Sequence, residues 1–345
     1  MSADLNAFMA TMVSCAQALP PGRAVSIVRE NYGFESRATR LTGERDENFR
    51  IDAADGGEFV LKIAHPAEDP AVAELTTAAL LHLEQHDSSL PCPRVVCARG
   101  GESQVRFSDE VGAARTARLL TYLPGRPLGS ADCSPGLRAA CGRIGGRLTR
   151  ALRSFRHPAA HRAIVWDVRH AAHYGRLLGQ VPAFPCPAEA RAVLERIVPR
   201  IESQLPSLRH QVVHNDLNPR NILVTPTGEL SGIIDFGDMT YTAVIADVAV
   251  TAAELLAEDC TAASGAALPS IREVANAYHE SVPLLAQERA LLGTLVAARL
   301  VANLVVHEWH LHRNPAGDHY RPLQEAFIRA RLQIAAQLSN EETRL

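Results

Sequence analysis

Lysine is almost missing: Lys62 is the only one in 345 residues, although Lys and Arg together number 35. Aromatic residues make up 5%, so there is little material for a cage of rings around a quaternary ammonium. No basic run of five residues occurs and the net charge is −3, which disfavours a polyanionic partner such as nucleic acid. The longest apolar stretch, Leu291 to Val306, is short and contains Arg299 and Asn303, so no membrane span is expected. Met1 to Pro20 has no basic n-region and is interrupted by Asp4, so it does not read as a signal peptide. The seven cysteines, at 15, 92, 97, 133, 141, 186 and 260, are odd in number and without C-x-x-C spacing, and a reduced, cytoplasmic chain is expected.

What remains is a globular composition, 47% hydrophobic and 21% charged, long enough for two domains or lobes. A GC-rich genome accounts for the arginines. A single surviving lysine instead suggests a compact point charge with a defined task.

Two segments carry the chemistry. His214-Asn215-Asp216-Leu217-Asn218-Pro219-Arg220-Asn221 precedes a β-hairpin, and Ile233-Ile234-Asp235-Phe236-Gly237-Asp238 follows it. Ile222 to Val224 reads as one strand, Pro226-Thr227-Gly228 as the turn and Leu230 to Ile234 as the return. Antiparallel pairing then sets Asn221 beside Asp235, giving two oxygen ligands of the kind magnesium takes while it bridges nucleotide phosphates. Asp216 is close enough to orient or accept the proton of an attacking hydroxyl. The H-x-D-x-x-x-x-N spacing followed by D-F-G matches the catalytic and metal loops of the kinase fold. The bland reading makes Asp216 and Asn221 turn residues and Asp235 a cap, which accounts for each singly but not for the set.

From Val25 to Thr121 short β-like runs alternate with turns: 36–41, 48–52, 58–63, 94–98, 104–107 and 115–122. One helix, Ala71 to Gln85 behind Asp69-Pro70, interrupts them. Leu123-Pro124-Gly125 is the expected hinge. Beyond it helices are expected near 137–155, 166–178, 187–203, 241–258, 270–281, 283–312 and 322–338. The expected class is α+β and bilobal, with a helical extension at 1–24, a small antiparallel-sheet lobe at 25–122 and a mainly helical lobe at 123–345.

Phe59-Val60-Leu61-Lys62-Ile63 embeds the lone lysine in a strand, and Glu74 on the following helix is expected to hold its ammonium against the nucleotide phosphates. Gly43 sits in the turn that covers the phosphates, though without a G-x-G-x-x-G pattern. Leu120 to Leu123, with Thr121 and Leu123 foremost, should present backbone groups to the base of ATP or GTP.

These stretches, together with Arg45 to Phe49, Leu123-Pro124-Gly125-Arg126-Pro127, Phe155-Arg156-His157-Pro158 and Trp166-Asp167, resemble the aminoglycoside phosphotransferase and choline kinase superfamily, and within it the hydroxylysine-kinase branch. The likeness runs from about 30 to 310. It implies a protein-kinase-like fold acting on small molecules, with Asp216 as base, Asn221 and Asp235 on Mg2+, and Lys62 on the phosphates of ATP or GTP. Where such proteins commonly have glycine or another small residue before the catalytic Asp, this chain has Asn215.

Asp238 is followed almost at once by a helical segment, leaving no activation loop and no A-P-E, so a protein substrate is not expected. For the acceptor, Arg299, Asn303 and His307 form an i, i+4, i+8 stripe, and Arg299 could pair with a substrate carboxylate; an internal salt bridge, for example to Glu308, is the competing reading. Asp238 could hold a substrate ammonium or cap a helix, and Trp166 could wall the pocket or fill core. Asp247 is expected to bond the backbone of the catalytic loop. The histidines at 157, 161, 307, 310 and 312 have no matching carboxylate or cysteine spacing for a metal.

The expected activity is transfer of the γ-phosphate of ATP or GTP to the hydroxyl of a small amino compound, a hydroxylated amino acid such as hydroxylysine being favoured. An aminoglycoside or choline/ethanolamine kinase, or a nucleotide-binding regulatory module without catalysis, are the alternatives. Monomer and homodimer both remain open.

Overall fold

The computed structural model describes residues 3–14, 18–43, 45–109, 111–129, 134–256, 267–315 and 321–340. Cys15, Cys133, Cys260 and the expected helix end at Glu258 lie outside them. The four described cysteines, 92, 97, 141 and 186, are not joined in disulfides.

The sheet lobe is built from β1 (Ser36–Leu41), β2 (Glu47–Ala53), β3 (Glu58–Ile63), β4 (Val95–Val96), β5 (Val105–Ser108) and β6 (Ala114–Thr121). They form one antiparallel sheet in the order β1-β2-β3-β6-β4, with β5 also paired to β6. Two-residue alternation divides β3: Leu61 and Ile63 are fully buried against Phe49, Ile51, Ala117 and Leu119, whereas Lys62 projects from the opposite face. Helix α2 (Pro21–Asn31) covers the first of these faces with Ala24, Ile27 and Val28. The expected boundary at residue 25 therefore falls inside a helix whose apolar side belongs to the sheet. On the other face lies α3 (Pro70–His86), started by Asp69, whose side chain accepts from the Ala71 N–H, and by Pro70.

A short connection through Leu123 and β7 (Arg126–Pro127) leads to the helical lobe. Gly125, at φ +135, is required there, because a Cβ would stand 2.5 Å from Ser231 Oγ and 3.0 Å from the Val224 carbonyl. The lobe comprises α4 (Pro135–Ala151), α5 (Ala171–Leu178), α6 (Pro187–Gln204), α7 (Val244–Leu255), α8 (Ala267–His279), α9 (Ala286–Arg313) and α10 (Glu325–Asn340). Helix α9 has the length and composition of a membrane span, yet 83% of its most apolar window is buried among the other helices. Helix α1 (Ala3–Val13) packs Leu5, Phe8, Met9 and Met12 into the same core.

Two short sheets carry the functional loops. β9 (Ile222–Val224) lies between β10 (Leu230–Ile233) and β7, and β8 (His210–Val213) pairs with β11 (Thr240–Ala243). The expected hairpin is present, with Ile222 opposite Ile233 and the Ile234 N–H donating to the Asn221 carbonyl at 2.9 Å. The expected helix at 241–258 begins instead at Val244, because Thr240 to Ala243 is drawn into β11. A shared core of Leu75, Leu83 and Leu120 with Ile144, Leu148, Ile233 and Phe236 joins the lobes behind the cleft.

Candidate active site

Asn215 and Asp235 are two of the three non-glycine residues with positive φ among the described residues, at 64° and 61°. A left-handed residue on each side of the hairpin bends the chain sharply enough to turn Asp216 and Asp235 into one cleft, and asparagine and aspartate tolerate that conformation better than other side chains. This accounts for an asparagine at position 215. The loop is anchored from below by the buried Asp247, whose Oδ1 accepts from the Asn215 N–H at 2.8 Å and whose Oδ2 accepts from Thr149 at 3.1 Å. Burial pushes the Asp247 carboxyl up to about 6.

Asp216 is tightly held. Its Oδ2 accepts from Asn221 Nδ2 at 2.6 Å, and its Oδ1 accepts from Asn218 Nδ2 at 2.9 Å and Arg299 Nη2 at 3.1 Å. Burial, then the Asp238 carboxylate, push it up to about 8 against the opposing Arg299 charge. Such a carboxyl is a stronger base than an ordinary aspartate once ionised. Asn221 gives its nitrogen to Asp216, which leaves the carboxamide oxygen as the atom that could hold a cation. Asp235 is exposed at the cleft, and its Oδ1 accepts from Lys62 Nζ at 3.2 Å and from the Gly237 N–H at 3.2 Å. The Lys62 ammonium holds its carboxyl well below the usual carboxylate range. A carboxylate poised to remain ionised beside a carboxamide oxygen is a hard donor set suited to a magnesium ion.

Glu74 is not part of this site. It points outward and pairs with Arg106 at 3.2 Å, both side chains being at least half exposed. The buried side of α3 runs through Val72, Ala73, Leu75, Thr76 and Thr77, so position 74 has no path to the cleft. Lys62 is instead flanked by Asp235 and, at 4.0 Å, by Asp46. Its cross-strand neighbour Arg118 fixes the helix: Nη1 donates to Thr76 Oγ1 at 2.6 Å and to the Ala73 carbonyl at 3.2 Å, while Nη2 stands 3.7 Å from Asp46. The sequence reading singled out neither Arg118 nor Asp46, because the register that sets Arg118 opposite Lys62 joins strands distant in the chain.

Gly43 lies in the β1–β2 turn, where a Cβ would meet the Asp46 carbonyl at 2.2 Å, so glycine is required by the turn itself. Thr121 turns its hydroxyl onto the Arg94 N–H at 2.8 Å, and Leu123 packs 3.1 Å from where a Cβ on Gly232 would stand; neither lines the interlobe cavity. Arg45, Asp46, Asn48, Lys62, Glu68, Thr76, Arg118, Asp216, Asp235 and Asp238 line a small cavity of about 50 Å³ between the lobes.

A second cavity of about 250 Å³ opens on the other side of Asp216 and Asp238, within the helical lobe. Trp166 walls it, with its ring centroid 5.2 Å from the Arg299 guanidinium carbon, whereas Trp309 is buried core. Here the structure corrects the expectation for Arg299 and Asn303. Arg299 Nε and Asn303 Nδ2 both donate to Glu254 Oε1, at 2.8 and 2.9 Å, and the other Arg299 nitrogens are held by the Trp166 carbonyl and Asp216. Buried and so engaged, Arg299 orients Asp216 instead of meeting a substrate carboxylate, and its internal partner is Glu254, not Glu308. Asp238 likewise is paired, with Arg45 Nη2 at 2.6 Å. The Arg220 and Arg331 side chains contribute cationic groups to the wall that the sequence did not single out. Among the described residues no cluster of His, Cys, Asp and Glu forms a separate metal site.

A sheet lobe with a strand lysine, a helical lobe with the H-x-D-x-x-x-x-N loop, and a D-F-G turn between them define a phosphotransferase of the kinase fold. The phosphotransferase enzyme family (APH) matches residues 37–291, and the chain belongs to that family. It is similar to hydroxylysine kinase of Danio rerio, 27% identical over 316 residues that cover 88% of this chain and 87% of that one. Hydroxylysine kinase of Mus musculus is 26% identical over 327 residues, covering 86% and 84%. Among solved structures, amicoumacin kinase in complex with AMP-PNP and Ca2+ superposes with a TM-score of 0.68 at 17% identity, covering 92% of this chain and 94% of that one. A microcompartment-associated aminopropanol kinase gives 0.64 at 18%, covering 92% and 95%. The fold and the small-molecule kinase class are thereby established.

Proposed function

We propose that the chain transfers the γ-phosphate of ATP or GTP to the hydroxyl of a small zwitterionic amino compound, with hydroxylated amino acids such as hydroxylysine as the favoured acceptors. One observation carries this reading: Asp216 and Asp238 line both the interlobe cavity and the cavity in the helical lobe. A hydroxyl entering from the second cavity meets Asp216 with the phosphate side directly behind it.

Asp216 accepts or orients the hydroxyl proton, and Arg299, Asn218 and Asn221 fix its two oxygens for that task. Lys62 steadies the phosphate chain from β3. Asn221 and Asp235 would hold Mg2+, which supplies neutralisation of charge on the phosphates when bound. The acceptor cavity is at the small end of ligand pockets, which suits an amino acid better than an aminoglycoside. Its wall carries an acidic group, Asp238, for an ammonium, and arginines, Arg220 and Arg331, for a carboxylate. The named relatives act as hydroxylysine kinases, which supports the same acceptor class.

The test is a screen of hydroxylated amino acids, amino alcohols and aminoglycosides for ADP or GDP production with Mg2+. Turnover of hydroxylysine or a close analogue is expected; turnover confined to aminoglycosides would sink the acceptor assignment. Asp216→Asn should lower kcat by at least about 10³-fold while nucleotide binding, read by titration, changes less than about threefold.

A further inference from the structure

The β1–β2 turn has one glycine in the place where a glycine-rich loop would bring several backbone N–H groups to phosphate, yet it carries a guanidinium to the wall of the interlobe cavity. Arg45 donates to Asp238 Oδ1 at 2.6 Å, stands 3.8 Å from Glu68, and lies with its guanidinium carbon 5.0 Å from the ring centroid of Phe8. Phe8 on α1 and Asp238 after the hairpin are both seated on the helical lobe. The tip of the sheet lobe's loop is thus gripped from across the cleft. Arg45 shares the interlobe cavity with Lys62, Asp216, Asp235 and Gly237.

The neighbouring arginines face other partners. Arg162 is bound to the Gly237 and Met239 carbonyls, Arg118 braces Thr76 and Ala73 of α3, and Arg299 lies on the acceptor side against Glu254. Lys62 reaches Asp235 from β3. Arg45, held at Asp238, lines the same cavity as Asp235 and Asp216, where the transferring group must pass if those residues have the roles given above.

We propose that Arg45 is a catalytic residue: its guanidinium binds the non-bridging oxygens of the transferring phosphoryl group, supplying from one side chain the donors that the loop backbone does not. In the step itself the acceptor oxygen bonds to the γ-phosphorus as the bond from that phosphorus to the β,γ-bridging oxygen breaks. The electron pair leaves with the nucleoside diphosphate and the hydroxyl proton passes to Asp216. Arg45 stays protonated throughout and moves from Asp238 to the phosphoryl oxygens, which frees Asp238 for the acceptor ammonium. A planar fork suits three equatorial oxygens better than a lysine point charge.

The inference rests on the reading of Asp216 and Asp235, so the full-length Arg45→Gln, Arg45→Lys and Asp216→Asn enzymes are measured side by side. Three quantities are compared: kcat with the acceptor from the screen, or slow transfer to water if none is found; Kd for a non-hydrolysable triphosphate; and Kd for ADP with aluminium fluoride. Removing one preorganised donor of this kind typically costs 10²–10³ in rate. Arg45→Gln should lose about that factor in kcat, keep the triphosphate Kd within about threefold, and lose the tighter aluminium fluoride binding by a matching factor. Added guanidinium ion should partly restore its rate, and Arg45→Lys should recover little. A kcat within about threefold of wild type overturns the proposal, as does a loss confined to triphosphate Kd or acceptor KM without guanidinium rescue, because Arg45 would then only latch the loop to Asp238. Retained turnover in Asp216→Asn would instead remove the site reading, whatever Arg45 shows.

Discussion

At the scale of single residues, conformation and burial decide what a position tolerates. Asn215 is fully buried at φ 64° with neither amide atom partnered. Holding a non-glycine residue left-handed costs roughly 1–2 kcal/mol, and the cost is greater for a β-branched side chain. Asn215→Gly removes that cost and the unmet amide but leaves a void and a more flexible unfolded chain. Its stability should stay within about 1 kcal/mol of wild type, whereas Asn215→Val should lose at least about 2 kcal/mol; urea midpoints of the two variants decide it. That Asn215 departs from a position of glycine or another small residue was visible in the sequence. The reason, a left-handed bend that aims Asp216, was not, because φ is set by β8, the hairpin and Asp247, and Asp247 lies 32 residues away.

At the scale of elements, α3 shows how a correct helix can carry a misassigned partner. Its span and its Asp69-Pro70 start were legible because capping and helix periodicity are local signals. Which of its residues meets Lys62 depends on how the helix is rotated on the sheet, and Arg118 fixes that rotation through Thr76 and Ala73. Glu74→Ala should therefore leave stability within about 0.5 kcal/mol and kcat within about twofold, as expected for an exposed ion pair. Arg118→Ala should cost about 2–4 kcal/mol, since it removes charged hydrogen bonds from a buried site and leaves their acceptors unmet. Thermal denaturation with steady-state rates checks both; a large loss from Glu74→Ala would restore it to the nucleotide site. The strands β8 and β11 escaped sequence reading for the converse reason. Each has four residues, and their pairing, Thr240 with Val213 through Ala243 with His210, is invisible to any local pattern.

At the scale of the whole molecule, the two lobes were legible from the contrast between β-rich and helical stretches, while the ties across the cleft were not. Arg45 with Asp238 spans 193 residues, and Arg299 with Asp216 spans 83. The response of the fold to acid sums such buried groups with opposite signs. His173 and His214 are buried and pushed by desolvation down to about 4, whereas burial pushes Glu68 up to about 7 and Asp247 up to about 6. A histidine depressed on folding contributes stability that is present above its unfolded value near 6.5 and is lost as pH falls toward 4; a raised carboxyl works in the opposite direction over its own interval. The net curve is therefore shallow, and one group is best isolated by difference. His173 lies on α5, away from the cleft, among Met9, Leu177 and Trp309. The stability of wild type minus that of His173→Gln should fall by about 1–2 kcal/mol between pH 7 and pH 5, with kcat at pH 7 unchanged. Urea titrations of both proteins across that interval provide the check: a difference that stays flat would mean that the His173 ring is hydrated and titrates as it does in the unfolded chain.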